Sequence, residues 1–235
     1  RHPRLPSLKV SELGDRYFEV IERIDAAAVG AGRASSEVTL VVITKNHPAQ
    51  LVLDLLELGA KDFGENRDQE AAPKAEQVRA TSTVEHRWHF VGQLQSNKVK
   101  SALEYSSVLH SLDRESLLQA LVKQQISKPL DVFIQLNLTD DPGRGGIEPK
   151  NLEGFAEKVL AAPNLNLIGV MGVAALDREP EVDFETIRNA SQKLQVLAPG
   201  ARFISAGMSG DFEKAIAFGA THVRVGTAIT GKRNY

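Results

Sequence analysis

A lysine that closes a strand is the first residue in this chain with chemistry to offer. The run Val38-Thr39-Leu40-Val41-Val42-Ile43-Thr44 leads straight into Lys45, with Asn46-His47-Pro48 behind it. Bulky, mostly β-branched residues in an unbroken row suit a strand covered on both faces, as in a parallel sheet layered by helices. Alternation at period two places Val41, Ile43 and Lys45 on one face and Leu40, Val42 and Thr44 on the other. An ammonium group that continues an apolar row is disfavoured as a charge, which leaves a nucleophilic amine. A lysine that simply leaves the sheet for solvent satisfies the same pattern, and the strand alone does not separate the two.

Two further stretches could work with such an amine. Ser205-Ala206-Gly207-Met208-Ser209-Gly210-Asp211 is a small-residue loop whose Ser209 is placed to cap a following helix, and whose backbone N–H groups favour an anion. Arg224-Val225-Gly226-Thr227-Ala228-Ile229 has a glycine for close approach and a threonine to donate a hydrogen bond. Either loop by itself is ordinary helix punctuation. Placed on one rim with Lys45, they describe a Schiff-base site for a phosphorylated carbonyl compound.

The elements that must bring these stretches together follow from hydrophobic periodicity. An amphipathic helix over 7–29 carries Leu8, Val10, Leu13, Phe18, Ile21 and Ile24 on its apolar stripe and ends at Gly30 and Gly32. After the Lys45 strand comes a helix ending at Gly59. Further strands are expected at 61–64, 86–91, 107–112, 130–138, 165–171, 202–205 and 222–225. Helices are expected at 65–78 with a break at Pro73, and at 95–103, 115–126, 152–161, 182–197 and 211–218. About eight β/α units in a chain near the usual ~250 residues point to a single α/β domain, a (β/α)8 TIM-type barrel with an extra N-terminal helix. A doubly wound open sheet is the alternative, but its Gly-rich first turn is replaced here by Lys45-Asn46-His47-Pro48.

Composition narrows the functional classes. Lysine and arginine total 28 against 30 acidic residues, a formal charge of -2, so nothing calls for nucleic acid or an anionic membrane. The absence of cysteine excludes disulfides and thiolate chemistry and agrees with a reducing cytoplasm. No apolar run approaches the roughly 18 residues of a membrane helix. His86 and His89, three apart on one strand, fall on opposite faces and cannot pair on a metal, which leaves His89 as a core or supporting histidine. Gln135 and Asn137 either line the barrel mouth or form an ordinary hydrogen-bonded layer, and the loop at 139–149 reads as a mobile rim. The basic cluster Lys98 and Lys100, with Lys232 and Arg233, reads as solvated helix ends.

Several runs also carry a family resemblance. Val41-Val42-Ile43-Thr44-Lys45 with Pro48-Ala49, Phe63-Gly64-Glu65-Asn66 with Gln69-Glu70, and Trp88-His89-Phe90-Val91-Gly92-Gln93-Leu94-Gln95-Ser96-Asn97-Lys98 resemble the pyridoxal phosphate homeostasis proteins. So do Gly207-Met208-Ser209 and Val223-Arg224-Val225-Gly226-Thr227-Ala228-Ile229. These proteins are similar to the barrel domain of bacterial alanine racemase and of eukaryotic ornithine decarboxylases. The resemblance implies that Lys45 holds pyridoxal 5'-phosphate as a Schiff base. It further implies that Ser209, Gly226 and Thr227, with Met208 beside them, hold the phosphate, and that Arg224 lies against the pyridine nitrogen. Asn66 either contacts the cofactor or orders its loop. The racemases add a second domain whose tyrosine serves a partner subunit, and a histidine after the sixth strand. Neither is expected here, because this sequence ends at Tyr235 and offers only Gly172-Val173-Ala174 after that strand. The expected protein is therefore a non-catalytic carrier or buffer of the cofactor, a monomer or weak dimer. A weak cofactor-dependent racemase and a lysine aldolase are the enzyme alternatives, and a module docking on cofactor-using enzymes is a third reading.

Overall fold

The structure is a computed structural model that describes residues 8–232; the expectations at Ser7, Arg233 and Tyr235, and at the side chains of Leu8 and Val10, lie outside what it describes. Eight strands close into a barrel in which each pairs in parallel with the next, and β8 returns to β1. They are β1 Thr39–Ile43, β2 Asp62–Glu65, β3 Arg87–Phe90, β4 Ser106–Leu112, β5 Leu130–Gln135, β6 Leu165–Met171, β7 Phe203–Ser205 and β8 His222–Val225. The helices are α1 Leu8–Gly30, α2 Ala49–Glu57, α3 Asp68–Thr81, α4 Val99–Ala102, α5 Glu115–Val122, α6 Leu152–Leu160, α7 Pro180–Leu197, α8 Phe212–Ala217 and α9 Thr227–Thr230. Closure settles the choice between barrel and open sheet in favour of the (β/α)8 architecture.

Alternation along each strand divides the core in two. Val42, Phe63, Trp88, Phe90, Val132, Ile134, Ile204, Val223 and Val225 face outward and pack with the apolar sides of the helices. A smaller inner cluster of Val108, Phe133, Ile168 and Met171 fills part of the barrel. The rest of the interior is unusually polar, with His89, His110, Ser205, His222 and Arg224 all buried. Barrel interiors are ordinarily filled by branched apolar side chains, so this departure asks for a reason.

Several boundaries differ from the sequence expectation, each for a local reason. Lys45 sits two residues beyond β1, in a turn where Asn46 takes the left-handed conformation at φ 63°. Pro73 lies inside α3 without breaking it, because burial of Ala71, Lys74, Ala75 and Val78 carries the helix past one missing hydrogen bond. The expected helix at 95–103 is only the short α4 preceded by a tight turn. β5 stops at Gln135, and Asn137 turns its amide to the carbonyls of Asp141 and Arg144, so the 139–149 loop is pinned back on the strand end. On α1 the buried stripe is Leu13, Tyr17, Val20, Ile24 and Ala28, while Phe18 is exposed. That helix packs on α8 and α9: Arg16 donates to the Ile229 carbonyl at 2.7 Å, and Arg23 pairs with Glu213 and lies over the Phe212 ring.

Candidate functional site

β1, β7 and β8 deliver their C-terminal ends to one mouth of the barrel, where a cavity of about 290 Å³ opens. Ile43 and Arg224 form its inner part, with Lys45, Met208, Ser209, Gly226 and Thr227 around it. Thus six of the seven residues singled out from sequence meet in one place. Lys45 arrives there because the inward alternation of Val41 and Ile43 continues past the strand end, and its side chain is half-buried. The seventh, Asn66, lines an adjoining cavity of about 180 Å³ with Lys45, Asn46, Arg67 and Glu70, and a larger groove beyond it. His47, not singled out from sequence, also lines the main cavity.

The two small-residue loops are stitched together. Gly207 has φ 98°, and a Cβ there would sit 2.8 Å from both the Phe212 Cα and the Ala215 Cβ, so only glycine admits this turn. Asp211 accepts from the Met208 backbone N–H at 2.7 Å and occupies the cap position of α8. Ser209 therefore does not cap that helix as its sequence position implied. Its hydroxyl instead accepts from the Ala228 N–H in the first turn of α9, at 3.2 Å, which ties the loop after β7 to the loop after β8. A Cβ on Gly226 would come within 3.4 Å of the Ile43 Cβ, so the glycine keeps the backbone close to the cavity.

The turn carrying Lys45 is clamped from below by an ionic cluster that the sequence reading missed. Lys74, 5 % exposed, pairs with Glu65 and Glu70 and donates to the Thr44 carbonyl at 2.9 Å. Thr44 donates its hydroxyl to Glu65 at 3.0 Å, and the Asn46 N–H donates to Glu70. Burial raises the Glu65 pKa even though Lys74 pulls it the other way. The signal available in sequence was the (i, i+4) pair Glu70 and Lys74, but nothing there says that the pair is buried.

Behind the cavity, the polar interior forms a continuous chain. Arg224 donates to the Ser205 hydroxyl at 2.6 Å and to the Gly172 carbonyl at 3.1 Å. Ser205 meets His110 Nδ1 at 2.7 Å, His110 Nε2 meets His89 Nδ1 at 2.8 Å, and His89 Nε2 meets Asp62 at 2.8 Å. Burial holds His89 below the ordinary imidazole range and His110 well below it; His222, ringed by Phe133 and Phe203, falls to about 3. Burial likewise lowers Arg224 to about 10, which leaves it charged at neutral pH. Asp62 stays below its usual value because His89 and Arg87 bond to it, against the opposing effect of burial. His89 is thus a core histidine, as its mid-strand place implied, whereas the parts of His110, Ser205 and Asp62 were not anticipated. Inward alternation on β2, β4 and β7 was the one available signal.

A lysine amine, a donor-rich loop pair and a fixed guanidinium around one small cavity can bind a phosphorylated carbonyl compound covalently. Barrel and site together define the class: the chain belongs to the alanine racemase, N-terminal domain family, whose model matches residues 22–234. The alanine racemase of Corynebacterium glutamicum shares the fold at a TM-score of 0.69 and 16% identity, over 92% of this chain and 61% of that one. Within that class the chain belongs to the pyridoxal phosphate homeostasis proteins. The Escherichia coli K12 protein of that name is 35% identical over 231 residues, 96% of this chain and 99% of that one. The Pseudomonas aeruginosa PAO1 protein is 36% identical over 228 residues, 96% and 98% of the two chains. PipY of Synechococcus elongatus PCC7942, whose structure is described as having PLP bound, superposes with a TM-score of 0.80 at 29% identity, covering 93% of this chain and all of that one. Among the described residues, no helix is long and apolar enough to cross a membrane.

Proposed function

We propose that this protein binds pyridoxal 5'-phosphate covalently on Lys45 and holds it as a carrier or buffer, without turning amino acids over. One observation carries the reading: Lys45, Arg224 and the Ser209, Gly226 and Thr227 loops share a single cavity of about 290 Å³. That volume is near the lower end of the ~300–1000 Å³ typical of small-molecule sites. The donor set also fits the cofactor. Hydroxyls of Ser209 and Thr227 and the backbone at Gly226 suit a phosphate, the Lys45 amine suits an aldehyde, and Arg224 suits the lone pair of the ring nitrogen.

Bound pyridoxal 5'-phosphate supplies an aldehyde that takes up amines and a ring that accepts electrons when its nitrogen is protonated. Arg224 decides against strong electron withdrawal: it is buried, charged and anchored to Ser205 and Gly172, so it donates to the ring nitrogen without giving up its proton. Where the family resemblance gives the racemases a histidine after the sixth strand, this chain has Gly172-Val173-Ala174, and the Gly172 carbonyl accepts from Arg224. Lys45 then acts as a tether rather than as one of two opposed bases.

Borohydride reduction of the cofactor-loaded protein followed by peptide mapping tests the assignment: the label falls on Lys45, and a label elsewhere refutes it. Lys45→Ala abolishes the yellow colour of the loaded protein, an outcome that also removes the aldolase alternative. Exchange of the α-proton of added L-amino acids with solvent, faster than with free cofactor, would overturn the non-catalytic reading.

A further inference from the structure

Burial keeps both imidazoles of the chain Arg224, Ser205, His110, His89, Asp62 neutral, and neutral rings give the chain a single direction. At one end Arg224 can only donate, so the Ser205 oxygen accepts there and keeps its own hydrogen free for a bare His110 Nδ1. His110 then carries its proton on Nε2 and donates to His89 Nδ1, and His89 carries its proton on Nε2 and donates to Asp62. At the other end an ionised Asp62 can only accept, which demands the same arrangement read backwards. With neutral rings, reversing one bond alone would leave two hydrogens or two lone pairs facing each other; reversing the Ser205 bond without that clash takes an imidazolium at His110, which its full burial disfavours. The two neutral rings therefore share one tautomer, protonated on Nε2. Other charges face this chain too: Arg87 binds Asp62 at 2.9 Å, Asp131 on β5 bears on His89, and His222 bears on His110.

We propose that Asp62, His89, His110 and Ser205 are positioning residues that form a one-way hydrogen-bond relay through the barrel, orienting Arg224 and coupling Asp62 to the cofactor's ring nitrogen. The coupling rests on the cofactor reading above; the relay itself does not. Asp62 begins β2, whereas Arg224 lines the cavity at the opposite, C-terminal mouth. Its carboxylate fixes His89, and through it His110 and the Ser205 hydroxyl. Ser205 and the Gly172 carbonyl then hold two guanidinium nitrogens, which leaves the remaining N–H groups directed by geometry rather than by solvent.

Nitrogen NMR on isotope-labelled protein without added cofactor reads the relay first. Both His89 and His110 give the neutral Nε2–H pattern from about pH 6 to about pH 8. An Nδ1–H tautomer or an imidazolium at His110 overturns the proposal. With ring-labelled pyridoxal 5'-phosphate added, Asp62→Asn and Ser205→Ala each shift the ring-nitrogen signal, and Ser205→Ala weakens binding about tenfold. Unchanged ring signals in both variants overturn the coupling; Asp62→Asn keeps the side chain's size and decides the matter if Ser205→Ala does not fold. If the wild-type protein binds no cofactor, the function proposed above fails, and the relay is read on Arg224 alone. Separate Arg224 Nη signals that merge in Ser205→Ala support it, and signals that stay separate refute it.

Discussion

Acidification should unfold this protein through its buried histidines, and His222 gives the magnitude. Its ring is 7 % exposed, packed against Phe133 and Phe203, with Nδ1 2.8 Å from the Thr221 hydroxyl, and its pKa falls from 6.5 to about 3. Desolvation is the main cause; neighbouring His89, Arg87 and Arg224 push the same way, and Asp62 opposes them. A depressed imidazole binds fewer protons folded than unfolded, so stability is full above the unfolded value near 6.5 and is lost as the pH drops below it. At about pH 5 the unfolded chain has gained the proton and the folded one has not, which removes about 2 kcal/mol relative to about pH 7 from this residue alone. His89 and His110 act in the same direction, while Glu65, with its raised pKa, acts in the opposite one. The difference between wild type and His222→Phe isolates the residue. Phenylalanine keeps the ring in its aromatic surroundings and loses the bond to Thr221, at a cost of about 1 kcal/mol near pH 7. Urea unfolding across about pH 5 to 7 should show the two stability curves crossing, with the variant the more stable by roughly 1 kcal/mol at the acid end. A gap between them that does not change with pH would refute the buried neutral imidazole.

Two other substitutions probe the supports of the site. Lys74→Met leaves Glu65 and Glu70 without their shared cation under the Lys45 turn. It should cost about 3–5 kcal/mol in urea unfolding, and a loss below about 1 kcal/mol would show that the cluster is not a clamp. Gly207→Ala must hold φ 98° and place its methyl 2.8 Å from Phe212 and Ala215. A loss of about 2–4 kcal/mol together with weakened pyridoxal 5'-phosphate binding is expected, and undiminished binding would remove the loop from the phosphate assignment.

Sequence alone determined the beat of strands and helices and the inward alternation that carries Lys45 and Arg224. Both are local properties: a strand's period of two and a helix's apolar stripe are written within a few residues. The motifs around Phe63, Trp88 and Val223 also made the family legible before any coordinates. Local pattern failed where packing competed with it. Pro73 was absorbed into α3 and the buried stripe of α1 shifted from Phe18 to Tyr17, because burial against neighbours outweighs one missing bond or one register step. What only the tertiary structure decided is which inward side chains meet. Ser205 and His110 are 95 residues apart in sequence, and Ser209 binds α9 rather than its own helix. Such meetings depend on the tilt and stagger with which the eight strands close, a global geometry that no single strand encodes. Closure placed Lys45 opposite the two loops, and it also set a chain of buried polar groups behind Arg224.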